Sequence, residues 1–210
     1  MDRILLHICC GPCSTVPLRL LTEQEAAFVA LYDNPNIQPA EEYERRRGTF
    51  LRFAASQGVE VREGAYEPKD WDAAIGEHAG VYPLIEGADD YAENRARREA
   101  RCHACYAYRF ERLAAQAARN GFTAIATTLS ISPYQFTELM ADELAAAATR
   151  YGLNSAFVDY RPFFAESVRV SREMDLYRQN YCGCRWSQAE AEQERAARKA
   201  RYKGDGSGMS

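Results

Sequence analysis

A chain of 210 residues with 47% hydrophobic content buries one sizeable core, and no apolar run approaches the roughly 18 residues that span a bilayer; a single soluble, cytoplasmic domain over 1–202, with no signal peptide, is expected. Seven cysteines, an odd number in a chain large enough to fold without staples, argue against a secreted disulfide framework and point to metal or redox chemistry. A net charge of −4 speaks against a generic polyanion binder, yet 23 Arg against 3 Lys suits bidentate recognition of phosphate, unless it reflects only the codon usage of a GC-rich genome.

In chain order, "RILLHI" reads as a first strand, followed by the turn "CCGPC" and a helix starting near Ser14. "AFVALYD" is a second strand, "NPNIQP" a loop, and "AEEYERRRGTFLRFAASQG" an amphipathic helix stopped by Gly58. "VEVRE" is a third strand, and 66–92 is irregular and partly helical. A long helix around 95–120 ends at Asn120 and Gly121, "FTAIATT" is a fourth strand, "FTELMADELAAAATRYG" a helix, and "SAFVD" a fifth strand before a final helical region. The tail from Lys203 is Gly/Ser-rich and expected to be disordered. Strands alternating with helices imply a three-layer, Rossmann-like α/β fold with a parallel sheet, helices on both faces and a helical C-terminal region. Ligands of such sheets gather beyond the carboxyl ends of the strands, here "HICCGPC", "YDNPN", "TTLSISPY" and "VDYRPF".

All seven cysteines fall in three clusters: Cys9, Cys10 and Cys13; Cys102 and Cys105; Cys182 and Cys184. A C-x-x-C pair alone is shared by redox dithiols, and a structural zinc site needs only four thiolates. Seven thiols match a four-cysteine iron-sulfur cluster plus a second metal with an open coordination position. The helix after the first strand directs its positive end at Cys9, Cys10 and Cys13. His7, inside that strand, reads as a hydrogen-bonded core histidine, with a metal or proton-transfer role as the alternative. "ENRARREARCHACYAYRFERL" and "YRPFFAESVRVSREMDLYRQNYCGCRW" interleave Arg with aromatic residues, which suits either a folded RNA or solvated helix faces; Arg97 and Arg98 are taken as exposed members of that surface.

"LLHICCGPCS", "YDNPNIQPAEEYERR", "RCHACYAYRFERLAAQAARNGF", "TTLSISPYQ", "VDYRPFF" and "SREMDLYRQNYCGCRWS" resemble, in order and spacing, the epoxyqueuosine reductase QueH family. The resemblance implies a cytoplasmic oxidoreductase of tRNA processing. It would reduce the epoxide of epoxyqueuosine, at the wobble position of tRNA, to queuosine without cobalamin. It also implies a 4Fe-4S cluster beside a separately coordinated iron, an adenine nucleotide alpha hydrolase-like variant of the fold, and an external electron donor whose identity the sequence leaves open. On this footing the cluster is assigned to Cys9, Cys10, Cys102 and Cys105, and the second iron to Cys13, Cys182 and Cys184. Asn34, Asn36, Tyr106, Arg109, Ser132, Gln135, Arg178 and Gln179 match family motifs and are assigned to the substrate, and Tyr134 to stacking a splayed base or donating a proton. Asn-Pro and "SPYQ" also have ordinary turn and helix-start readings. Two other classes stand beside this one. A pyrophosphatase-loop tRNA thiolase is disfavoured because the first βα turn lacks a Gly-Ser phosphate cradle. A non-enzymatic zinc module that carries RNA remains the other.

Overall fold

In a computed structural model that describes residues 2–205, five parallel strands lie in the order β3-β2-β1-β4-β5. They are β1 (Arg3–His7), β2 (Ala27–Tyr32), β3 (Val61–Glu63), β4 (Ala124–Thr127) and β5 (Asn154–Ser155). The apolar run of β1 is continuous because β1 is central and covered on both faces. Ile4, Leu6 and Ile8 join one apolar cluster, whereas Leu5 joins the other and the His7 ring meets Phe110 edge-on there. The first cluster packs under α1 (Gly11–Glu23) and α2 (Ala40–Ser56); the second packs under α4 (Tyr91–Arg119) and α5 (Thr137–Arg150). The result is the expected three-layer arrangement.

Three further helices complete the chain. α6 (Phe164–Glu173) lies on α1, where Ser167 Oγ donates to the Pro12 carbonyl at 2.7 Å. α3 (Pro68–Ile75) and a 3₁₀ turn at Gly76–His78 give the irregular stretch its helical part. α7 (Arg185–Asp205) is fastened to α4 by ion pairs of Arg98 and Arg101 with Glu190. It runs past Lys203, where the tail was expected to begin, while 206–210 lie outside the described residues. Among the described residues no helix is long and apolar enough to cross a membrane.

Several element boundaries differ from expectation. α1 begins at Gly11 rather than near Ser14, because Cys10 is extended and its Sγ accepts the Cys13 N–H at 3.4 Å, doing the work of a capping oxygen. β5 is shorter than "SAFVD": it has one neighbour, and after Ala156 N–H bonds Ile125 O the chain turns away. α4 starts at Tyr91, four residues before 95.

Candidate metal centre

The strand order reverses between β1 and β4, and the crevice beyond their carboxyl ends is where such sheets place ligands. Cys9 and Cys10 leave β1 directly into this crevice, and Cys13 follows in the first turn of α1. The three Sγ atoms lie within 4.8 Å of one another, with Cys9 and Cys10 at 3.8 Å. Thr128, after β4, closes the other side: its Oγ1 is 3.6 Å from Cys9 Sγ and accepts the Cys9 N–H at 3.3 Å. The Gln179 amide donates to Cys10 Sγ at 2.9 Å. No acidic residue sits in the first turn of α1, so the helix dipole acts on the thiols unopposed. Burial opposes ionisation of Cys10, but hydrogen bonds from Cys13 and Cys9 and the charge of Arg46 hold its thiol well below the usual range. The Cys10 contact pushes Cys9 up to about 12, and Cys13 rises for the same reason. The three thiols titrate as one coupled group, in which Cys10 is the most acidic.

Of the other four thiols, Cys102 packs against the same apolar cluster as Cys9, Cys10 and Cys13, and Cys105 packs beside Cys184. Helical spacing puts Cys102, Cys105, Tyr106 and Arg109 on one face of α4. Burial pushes the thiols of Cys102, Cys105 and Cys184 up, Cys184 to about 11. Trp71 Nε1 donates to Cys105 Sγ at 3.4 Å, Ser187 N–H to Cys184 Sγ at 3.3 Å, and Gln135 Nε2 reaches Cys182 Sγ at 3.6 Å. The loop after β2 fixes the C-x-C: Gln38 N–H donates to Gly183 O at 2.9 Å, and Tyr181 OH to Gln38 O at 2.9 Å. Arg46 donates to Cys182 O at 2.8 Å and to Tyr181 O at 3.3 Å. Gly183 has φ +146°, and a Cβ there would lie 3.1 to 3.2 Å from Ile37, Arg46 and Asn36. The positive φ favours glycine, and a Cβ would in addition press these neighbours aside by a few tenths of an ångström. All seven cysteines are free thiols, and Cys182 is exposed at the mouth.

Cys13 stands beside Cys9 and Cys10, because the early start of α1 brings it within one turn of Cys10.

Beneath the thiols, Asn34, Arg109 and His7 are buried. Arg109 Nη2 donates to Asn34 Oδ1 at 2.8 Å and to His7 Nε2 at 3.0 Å, and His7 Nδ1 lies 3.0 Å from Thr127 Oγ1. His7 is therefore the hydrogen-bonded core histidine; burial, then the charge of Arg109, lowers it to about 3. Tyr106 is also buried and donates to Gln135 Oε1 at 2.7 Å. Asn36 Oδ1, Arg109 Nε and Gln179 Oε1, all beside thiol-bearing segments, are buried without a hydrogen-bond partner. At the rim, Ser132 Oγ accepts the Tyr134 N–H at 3.4 Å, Tyr134 is 78% exposed and edge-on to Phe164, and Arg178 is exposed. Arg97 is exposed and paired with Glu93, but Arg98 is not the exposed residue expected: it pairs with Glu194 at 2.6 Å and Glu190 at 3.4 Å. Thr128, Trp71 and Arg46 touch or fix the thiols without having been singled out in the sequence. Thr128 had a signal in the strand-end segment "TTLSISPY", and Arg46 closes the family-like segment "YDNPNIQPAEEYERR", whereas Trp71 had none.

The model of the family described as "Epoxyqueuosine reductase QueH" matches residues 4–190. The protein named epoxyqueuosine reductase QueH of Thermotoga maritima is 32% identical over 93% of this chain and 95% of its own. Its namesake in Dehalococcoides mccartyi is 30% identical over 90% of this chain and 93% of its own, and that of Streptococcus pyogenes serotype M1 32% over 86% and 68%.

Proposed function

This chain belongs to the epoxyqueuosine reductase QueH family, and on that premise we propose that it reduces epoxyqueuosine at the wobble position of tRNA to queuosine. The balance is one epoxide, two electrons and two protons in, and one alkene and one water out, with the electrons coming from an external donor. The observation that carries the reading is the trio of thiols within 4.8 Å, at the switch point and at a helix N-terminus, with Cys102 packed against the same apolar cluster.

The donor set fits iron: seven soft thiol ligands, and buried amide and guanidinium atoms that lack partners. In this reading Cys9, Cys10 and Cys13 hold a single ion, three ligands leaving one position open. Cys102, Cys105, Cys182 and Cys184, among which no trio draws so close, hold a 4Fe-4S cluster, whose ligands attach to separate irons. When bound, such a pair supplies a Lewis acid for the epoxide oxygen and a relay for single electrons.

The chain's own residues do the rest. Gln179 and Gln135 hold the rims of the two thiol groups by their amides. Tyr106 fixes the orientation of the Gln135 amide. Tyr134, Ser132 and Arg178 form the entrance for the modified nucleoside and its anticodon loop, with Tyr134 offering an exposed ring to a splayed base. The reading is tested by incubating anaerobically iron-reconstituted protein with dithionite and tRNA containing epoxyqueuosine, followed by nucleoside mass spectrometry. Loss of one oxygen is expected; an unchanged nucleoside with a full iron complement would sink it.

A further inference from the structure

Arg109 is 3% exposed, yet among the described residues it makes no salt bridge. On the same helix, Arg101 pairs with Glu190 and Arg112 with Asp33. The partners of Arg109 Nη2 are neutral, Asn34 Oδ1 and His7 Nε2, and its Nε has none. Because His7 accepts at Nε2, its proton sits on Nδ1 and is donated to Thr127 Oγ1. Asp33 also lies near, but its oxygens are committed to Arg112 and Gln116. What remains to face the guanidinium is sulfur: Cys105 first, then Cys182 and Cys9. A buried cation without an anion is costly, so this one is kept where an anionic group is to be bound.

We infer that Arg109 is a positioning residue for the thiolate-bound iron, a fixed counter-charge aimed by His7 and Asn34 between the two thiol groups, which makes that group easier to reduce. The inference rests on the cofactor reading above. Reduction adds negative charge to a thiolate-ligated group, and a cation held nearby in a poorly screened interior stabilises the reduced form more than the oxidised one.

Two variants test it. Arg109→Met removes the charge and keeps much of the volume. Asn34→Asp leaves Arg109 in place but sets a carboxylate against it at nearly constant size. Each is reconstituted anaerobically, assayed for iron and acid-labile sulfide, and titrated reductively while the visible and electron paramagnetic resonance signals are followed. In both, the equilibrium for reduction should fall at least tenfold, about 59 mV for a one-electron couple. An unchanged potential in either variant at wild-type iron and sulfide content overturns the inference. Should Arg109→Met fail to fold, Asn34→Asp decides alone. A wild-type protein without any iron-sulfur chromophore would instead overturn the cofactor reading, and the two failures are told apart by the wild-type spectrum.

Discussion

Glu190, with a side chain wholly out of solvent, accepts Arg101 Nη1 and Nη2 at 2.6 and 2.9 Å. The same carboxylate accepts the Tyr82 N–H at 2.8 Å, and Arg101 also holds the Gly80 carbonyl, so one pair ties α4, α7 and the 80–82 loop together. Removing one member of a buried pair leaves the other uncompensated. Glu190→Ala should therefore cost ~3–5 kcal/mol in chemical denaturation. Glu190→Leu with Arg101→Met should recover much of that, and a loss equal to that of the single variant would refute the pairing argument.

Gly183→Ala should impair the centre without emptying the fold. Its φ of +146° is unfavourable for alanine, and the new methyl presses on Ile37, Arg46 and Asn36. A cost of about 1–3 kcal/mol is expected. Because the strain falls on the C-x-C, iron content should drop more steeply than the melting temperature, and equal effects on both would count against a local cause.

Single alanine variants of the seven cysteines should sort into two classes. Cys9, Cys10 and Cys13 variants should keep the broad visible absorption and lose about one iron per chain. Cys102, Cys105, Cys182 and Cys184 variants should lose the chromophore. Mössbauer spectra and iron counts decide, and a Cys13→Ala protein that behaved like Cys182→Ala would reinstate the grouping expected from sequence.

Tyr134→Phe should bind substrate tRNA as the parent does, whereas Tyr134→Ala should weaken binding by about 1–3 kcal/mol, the range for one stacked base. Equilibrium binding at fixed salt is the measurement, and an alanine variant of parental affinity would remove Tyr134 from the interface.

Alkaline stability should carry a signature of Tyr43. Its ring stacks on Tyr66 at 4.0 Å, and burial raises its hydroxyl from 10.0 to about 12. The folded value lies above the unfolded one, so the stabilisation is complete below pH 10 and disappears as pH rises through about 12. Urea titrations at about pH 9 and about pH 11.5 should show the parent losing up to about 2 kcal/mol more than Tyr43→Phe, which keeps the stack. Parallel losses would disprove it.

The sheet and its helices were legible because their signals are local: β1 shows as an unbroken apolar run, and α2 and α4 as a 3.6-residue period ended by Gly58 and Gly121. The start of α1 was not, because a thiol is not among the recognised capping groups and Cys10 caps with one. The cysteines themselves announced the centre by clustering. The residues that fix them did not, since Trp71 is 34 positions from Cys105, and Arg46 136 from Cys182. Nothing near Trp71 in the sequence marks it, and although Arg46 closes the segment "YDNPNIQPAEEYERR", the distant partner alone gives each its role. The same distance misled the reading of Arg98, whose acids Glu190 and Glu194 belong to another helix.

The proposed centre would draw its ligands from the first thirteen residues, the middle of α4 and the entry to α7. A ribosome delivers these in order, so the sulfurs at 182 and 184 emerge after nearly all of the sheet has had time to pair. Iron that arrives early meets only Cys9, Cys10 and Cys13, then Cys102 and Cys105. Complete loading is therefore an event of the finished chain, and a nascent chain arrested before residue 182 should carry no iron-sulfur chromophore however much iron and sulfide surround it.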